Sequence, residues 1–281
     1  MSAWYPPVRN LYAFSTRFGV SRSPSRLGSS PRSTSSFLIR SCILLFYISG
    51  LVAQSADPPS RDSRFGEADR FYADRANLAS ARRAADIWAA ALAADARNFE
   101  AAWKLSRADY WLGGHAPASE RRAFLENGIE AGRKAVAAQP NRAEGHFWMA
   151  ANMGTLAESF GLRQGLKYRK PVKEELETAL RLDPGFQQGS PDRALGRWYF
   201  RVPGLFGGSR KQAEVHLRAS LKYNPNSTAS HFFLAELLLD AGRKGEARAE
   251  LQKVLDAPHD PVWAPEDQDF KDRARQLLRK Q

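Results

Sequence analysis

The sequence predicts an all-α chain of stacked helical hairpins that ends in a capping helix. Three observations carry that expectation. After residue 64 apolar residues recur at intervals of three and four, with Ala, Leu, Glu, Arg and Lys prevailing, a pattern of amphipathic helices rather than strands. Five helix-ending runs are alike: "IWAAALAADARN", "AGRKAVAAQPN", "LETALRLDPG", "HLRASLKYNPN" and "ELQKVLDAPHD". Finally, "PVWAPEDQDFKDRARQLLRK" has Pro265 and acidic residues where a helix would start, then Phe270, Ala274, Leu277 and Leu278 on one face. That suits a helix covering a last repeat that has no further neighbour.

Taken in order, residues 1–55 differ from the rest. They contain six arginines, no lysine and no acidic residue, and so hold half of the net charge of +12. Arg40 precedes an apolar run from Cys42 to Ala53, and Ala53-Gln54-Ser55 places small residues before Ala56, the layout of a secretory signal peptide. The run is shorter than the roughly 20 residues that span a bilayer. The expectation is a basic, Ser/Arg-rich leader with a signal peptide over 1–55, cleaved before Ala56, a linker over 56–63, and a periplasmic or exported solenoid over 64–281. Membrane contact is then expected only through an uncleaved leader. Cys42 is the only cysteine, so the cleaved chain would have no disulfide or thiolate chemistry. It also lies at the front of the apolar run, the wrong end for a lipid anchor.

The opening helix is expected over 66–79, paired with one over 81–94. Equivalent small positions in the five runs, Ala91, Ala135, Ala179, Ser220 and Val254, are 44, 44, 41 and 34 residues apart. The last spacing is the period of a tetratricopeptide repeat; the others read as that period plus a longer turn inside the hairpin. In the final unit His231, Leu234, Ala235 and Leu238 share one face, and Ala247, Leu251 and Val254 follow on a second helix after the turn "DAGRKGE". His146, Met149, Ala150 and Met153 repeat that register in the third unit. The predicted fold is an all-α, tetratricopeptide-like helical-hairpin solenoid with a C-terminal capping helix.

The glycine-rich stretch "VPGLFGGSRKQAEVHL" falls between two helices of one hairpin. Pro203 stops the first, Gly204, Gly207 and Gly208 permit unusual backbone angles, and Ser209 with Gln212 forms a capping box. A phosphate loop would need GxxxxGK[ST] after a strand, so these six residues read as a structural turn. His146 and His231 read as core packing, and no HExxH, paired metal spacing or GxSxG occurs. Adjacent acids such as Glu174 and Glu175 read as a helix start. The expectation is therefore no catalytic residues, no metal and no cofactor.

Two features point to binding. Arg163, Lys167 and Lys170 surround Tyr168 in "RQGLKYRKPVK", read as an enlarged hairpin turn: either a solvated basic surface or an anionic docking patch. Aromatic residues concentrate in first helices, which line the concave face of such a solenoid. Most belong in the core, whereas Phe147, Trp148, Trp198 and Phe232 are the ones to face a partner or ligand. Nucleic acid is not expected for an exported chain without stacking modules. Two functions follow: a non-catalytic protein-interaction scaffold, or a binding protein holding an organic acid or lipid-like molecule in an apolar pocket of Phe147, Trp148 and Trp198.

The order "ALRLDPG", "ALGRWYFRVPGLFGGSRKQAEVHLRASLKYNPNSTASHFFLAELLL" and "VWAPEDQDFKDRARQLL" resembles the TRAP-transporter T-component family, a group of tetratricopeptide-like bacterial envelope proteins. "AANMGTLAESFGLRQGLKYRKPVKEELETAL" is similar both to that family and to the related eukaryotic regulator-of-microtubule-dynamics family. The first resemblance implies an exported accessory beside the periplasmic solute-binding protein of an uptake system, and a homo-oligomer around a hydrophobic pore.

Overall fold

The computed structural model describes residues 63–280. The expected leader and cleavage site lie outside the described residues, as does the linker apart from Ser63. Eleven α-helices follow one another, with no strand among the described residues: α1 (Ser63–Ala73), α2 (Leu78–Ala94), α3 (Phe99–His115), α4 (Ala118–Ala138), α5 (Ala143–Ser159), α6 (Leu162–Leu182), α7 (Phe186–Arg201), α8 (Arg210–Ser220), α9 (Thr228–Asp240), α10 (Lys244–Asp256) and α11 (Ala264–Leu278). Consecutive helices pair as five hairpins, from α1 with α2 to α9 with α10. First helices also pack on one another, α3 on α5, α5 on α7 and α7 on α9, while α11 covers α9 and α10. This is the predicted solenoid with its cap.

Local chemistry sets the boundaries. Asn77, Asn98, Ser209 and Ser227 each cap a helix by accepting a hydrogen bond from a backbone N–H of the first turn. The Asn77 cap corrects the opening hairpin: α1 ends at Ala73 rather than near residue 79, and α2 begins at Leu78 because Asn77 Oδ1 accepts from the Ala79 N–H at 3.0 Å. The unequal repeat spacing also has a different origin from the expected one in the third hairpin. Its helices have 17 and 21 residues against 13 and 13 in the fifth, and only Phe160 and Gly161 join them, with Gly161 at φ 87°. Among the turns inside hairpins of the described residues, only that between α7 and α8 is long.

Three apolar clusters run along the stack, with Trp103 packing against the first two and Tyr199 against the last two. Helices come close where one residue is small. A Cβ placed on Gly132 of α4 would lie 2.6 Å from the Met149 Cβ of α5, so that crossing depends on a missing side chain.

Candidate functional site

First helices turn their inner residues onto a cavity of about 490 Å³. Tyr110 of α3, Phe147 and Trp148 of α5 and Phe233 of α9 form its apolar wall; Gln188, Asn224, Thr228 and Asp267 are among its polar groups. The rings interlock, with Trp148 lying 5.5 Å from Tyr110 and edge-on to Phe147 at 5.0 Å. The buried indole N–H of Trp148 meets no acceptor among the described residues. Gln188 reaches the wall through an unusual backbone: Gln187, Gln188 and Gly189 are consecutively left-handed, at φ 48°, 60° and 79°, before the regular turns of α7 begin. Such angles cost non-glycine residues about 1 kcal/mol or more each. Here Asn224 Nδ2 donates to Gln188 Oε1 at 2.5 Å and the Ser190 hydroxyl to the Gln187 carbonyl at 2.7 Å.

The first hairpin meets the cap at one side of this cavity. Arg75, 5% exposed, donates from Nε to Glu266 Oε1 at 3.0 Å and from Nη2 to the Val262 carbonyl at 2.6 Å, while Trp111 Nε1 donates to the Arg75 carbonyl at 2.7 Å. His115 stacks on Trp111 at 3.6 Å and reaches Asp269 at 3.2 Å. Burial raises the pKa of the Glu266 carboxyl despite the opposing pull of Arg75. Burial likewise raises Asp267, even though the Thr228 hydroxyl donates to it at 2.5 Å. The contacts of Arg75 with Val262 and Glu266 and of His115 with Asp269 have no local sequence signal, because they join residues 154 to 191 positions apart.

Of the expected binding aromatics, the structure brings together Phe147 and Trp148 only. Trp198 turns away: its Nε1 donates to the Arg169 carbonyl at 2.9 Å and its ring lies edge-on to Tyr199. Phe232 is 2% exposed and packs against Phe270 under the Arg273 guanidinium, and its neighbour Phe233 lines the cavity instead. The basic segment is not a turn. Arg163, Lys167, Tyr168 and Lys170 lie in the first half of α6, which continues through Pro171, and Lys170 pairs with Glu174 at 3.4 Å. Glu174 and Glu175 are therefore in the middle of a helix rather than at its start.

The glycine stretch joins α7 to α8, and its residues divide the work differently from the expectation. Pro203 opens a short 3-10 turn over Gly204–Phe206, and Gly207 alone is left-handed, at φ 100°. Gly208 is needed for space, since a Cβ there would lie 1.6 Å from the Val202 carbonyl oxygen; Gly204 has neither need. Half of the capping box forms. Ser209 Oγ accepts from the Gln212 N–H at 3.2 Å, whereas the Ser209 N–H donates to the Tyr199 carbonyl at 2.9 Å rather than to the Gln212 side chain.

His146 and His231 are buried, as their register predicts, yet each is also half of an ionisable pair. His146 Nδ1 is 2.5 Å from Glu175 Oε2 and its Nε2 2.8 Å from the Pro140 carbonyl. His231 repeats this with Glu250 Oε2 at 2.5 Å and the Pro225 carbonyl at 2.8 Å. With the glutamates ionised, both ring nitrogens must donate, which is the imidazolium form. The hydrogen bond to Glu175 raises the His146 pKa, and burial's upward push on Glu250 is outweighed by His231 and Lys253, which lower it to about 2. None of these four residues lines the cavity, and no cluster of three metal-ligating side chains occurs among the described residues.

The model of the family described as Regulator of microtubule dynamics protein 1-3 matches residues 65–220, and a tetratricopeptide-repeat model matches 208–265. Regulator of microtubule dynamics protein 3 of Xenopus laevis is 31% identical over 121 residues, 43% of this chain and 25% of that protein. The protein of the same name from Bos taurus is 30% identical, with the same coverage. The chain thus spans a quarter of the length of these relatives. A thermophilic tetratricopeptide-repeat protein of Thermus thermophilus shares the fold, with a TM-score of 0.57 at 24% identity over 76% of this chain and 96% of that one. The order of motifs suggested the T-component family; the family model that matches is the related one, and it includes the segment from Ala150 to Leu180. The chain belongs to the regulator of microtubule dynamics protein 1-3 family.

Proposed function

We propose that this tetratricopeptide-like chain is a non-catalytic module whose inner cavity receives an apolar side chain and the adjoining backbone of a protein partner. The composition of the cavity wall carries the proposal. Tyr110, Phe147, Trp148 and Phe233 offer rings to a side chain, while Gln188, Asn224 and Thr228 offer amide and hydroxyl groups to a peptide backbone. Proteins of this repeat class bind protein partners, and a packed solenoid presents such groups without first having to order a loop. Binding is favoured over catalysis because both His–Glu pairs stand outside the cavity wall. A role in microtubule dynamics comes from the relatives' name and concerns a quarter of their length. Homo-oligomerisation and an accessory role beside a solute-binding protein rest on the T-component resemblance, which the family match does not favour, whereas export rests on the signal-peptide layout before Ala56.

One observation supports a second reading, a bound organic acid or lipid-like molecule. The cavity falls within the roughly 300–1,000 Å³ of small-molecule sites, and the Trp148 N–H is a buried donor able to meet a ligand oxygen. A benzophenone amino acid at Tyr110 of the full chain, photolysed in cells, separates the two. An adduct with one identified polypeptide is the expected product, and a small-molecule adduct selects the second reading. If adducts at Tyr110 match those at exposed Arg133, both fail.

A further inference from the structure

We infer that the tips of the third and fourth hairpins form a docking surface for an anionic membrane. Seven large apolar side chains stand exposed among the described residues, and four of them belong to these tips: Leu162 and Leu166 at the start of α6, 69% and 49% exposed, and Leu205 and Phe206 in the α7–α8 turn, 90% and 41% exposed. The tips touch. The Arg169 guanidinium lies 5.0 Å from the Phe206 ring, and the Arg169 carbonyl accepts from Trp198 of α7. Leu162, Leu166, Arg169 and Lys173 follow one another along one face of α6, and the Lys173 ammonium lies 5.5 Å from the Tyr199 ring. A Cβ added to Gly161 or Gly204 would meet nothing within 4 Å, so both turns project.

Charge selects the occupant. No acidic residue occurs in 159–173 or 193–213. Exposed Arg163, Arg201 and Lys211 enter no ion pair among the described residues, and the Lys167 ammonium lies over the Tyr168 ring. Leucine and phenylalanine at the outermost points with unpaired cations beside them is the order that a lipid interface demands: apolar side chains reach the acyl boundary while ammonium and guanidinium groups stay among the headgroups. An acidic protein would match the cations but would need a pocket for Leu205, which projects. No helix of the described residues is long and apolar enough to cross a membrane, so the contact would be peripheral. It is separate from the cavity and from the leader, to which the sequence confined membrane contact.

The test places an environment-sensitive dye on the full chain through Leu205→Cys in a Cys42→Ser background, with Glu130→Cys of α4 as reference. On equimolar phosphatidylserine–phosphatidylcholine vesicles the dye at 205 should shift to the blue, and the shift should weaken with salt and be absent on phosphatidylcholine alone. The dye at 130 should not respond. Leu166→Glu with Phe206→Glu should lower the apparent partition read at 205 by about tenfold, with unchanged far-ultraviolet circular dichroism. The inference is overturned if the chain sediments with vesicles without a shift at 205, if 205 and 130 shift alike, or if the double variant binds as before. It is equally overturned if polyglutamate, and not vesicles, produces the shift, which would assign the surface to an acidic protein.

Discussion

The third hairpin, α5 with α6, and the fifth, α9 with α10, hold the same clasp in frames of different length. In both, the histidine lies six residues after the proline whose carbonyl it binds, so that part of the clasp is local to one helix start. The glutamate lies 29 residues beyond His146 but only 19 beyond His231. The third hairpin runs farther before it turns, so the residue that returns alongside the histidine comes later in the second helix. A repeat can therefore lengthen at its far end and keep the clasp that ties its helix start to its second helix. The two clasps differ in burial: the Glu250 side chain is 10% exposed and also receives Lys253 at 2.9 Å, while that of Glu175 is 26% exposed.

That difference should appear first in stability. Glu250→Ala strands a buried imidazole and should cost about 3 kcal/mol; Glu175→Ala, nearer solvent, should cost about 1 kcal/mol, both read from urea denaturation. Equal losses would show that the two clasps are energetically alike despite their burial. The pH dependence should separate them further. The Glu250 pKa is depressed from 4.5 to about 2, so its contribution is complete above 4.5 and disappears as pH falls through about 2. Glu250→Gln should remove that part of the acid loss. The His146 pKa is raised above 6.5, so its contribution is complete below 6.5 and disappears as pH rises through the folded value. His146→Gln should flatten the alkaline side alone, as thermal melts across pH would report.

Much of this was legible in the sequence, and the exceptions have physical causes. Hairpin pairing follows from local periodicity and turn chemistry, which is why the α7–α8 turn and the capping helix lie where expected. The cavity depends on how hairpins rotate against one another, a property spread over many contacts. Phe147 and Trp148 were accessible to sequence reasoning because first helices face inward. Phe232 and Phe233 were not separable: "TASHFFLAELLLD" is apolar on every side, so periodicity carries no direction. In α6 the repeat's extra length suggested an enlarged hairpin turn, but the added residues extend the helices themselves, long basic side chains are at home on an exposed helix face, and the helix continues through Pro171. The clasp was half visible, since the shared register marks the histidines while nothing at a fixed distance marks the glutamates. Arg75 and Glu266 share no local motif at all.

Two glycines, one in the second hairpin and one in the fifth, give the sharpest contrast in sign and, at Gly245, the smallest predicted effect. Gly132, whose missing side chain lets α4 approach α5, admits no methyl group: its Cβ would stand 2.6 Å from the Met149 Cβ and 2.9 Å from its Cα. Gly132→Ala must push backbone apart and should destabilise by about 2 kcal/mol. Gly245 lies in the first turn of α10, has no left-handed angle, and would place a Cβ in open space. There alanine removes freedom from the unfolded chain without straining the folded one, and Gly245→Ala should stabilise by about 0.5 kcal/mol. Paired denaturation curves decide the matter. Because the sites lie in separate hairpins with no shared contact, the double variant should show the sum of the two changes, and a departure from that sum would mean that the second and fifth hairpins are coupled through the stack.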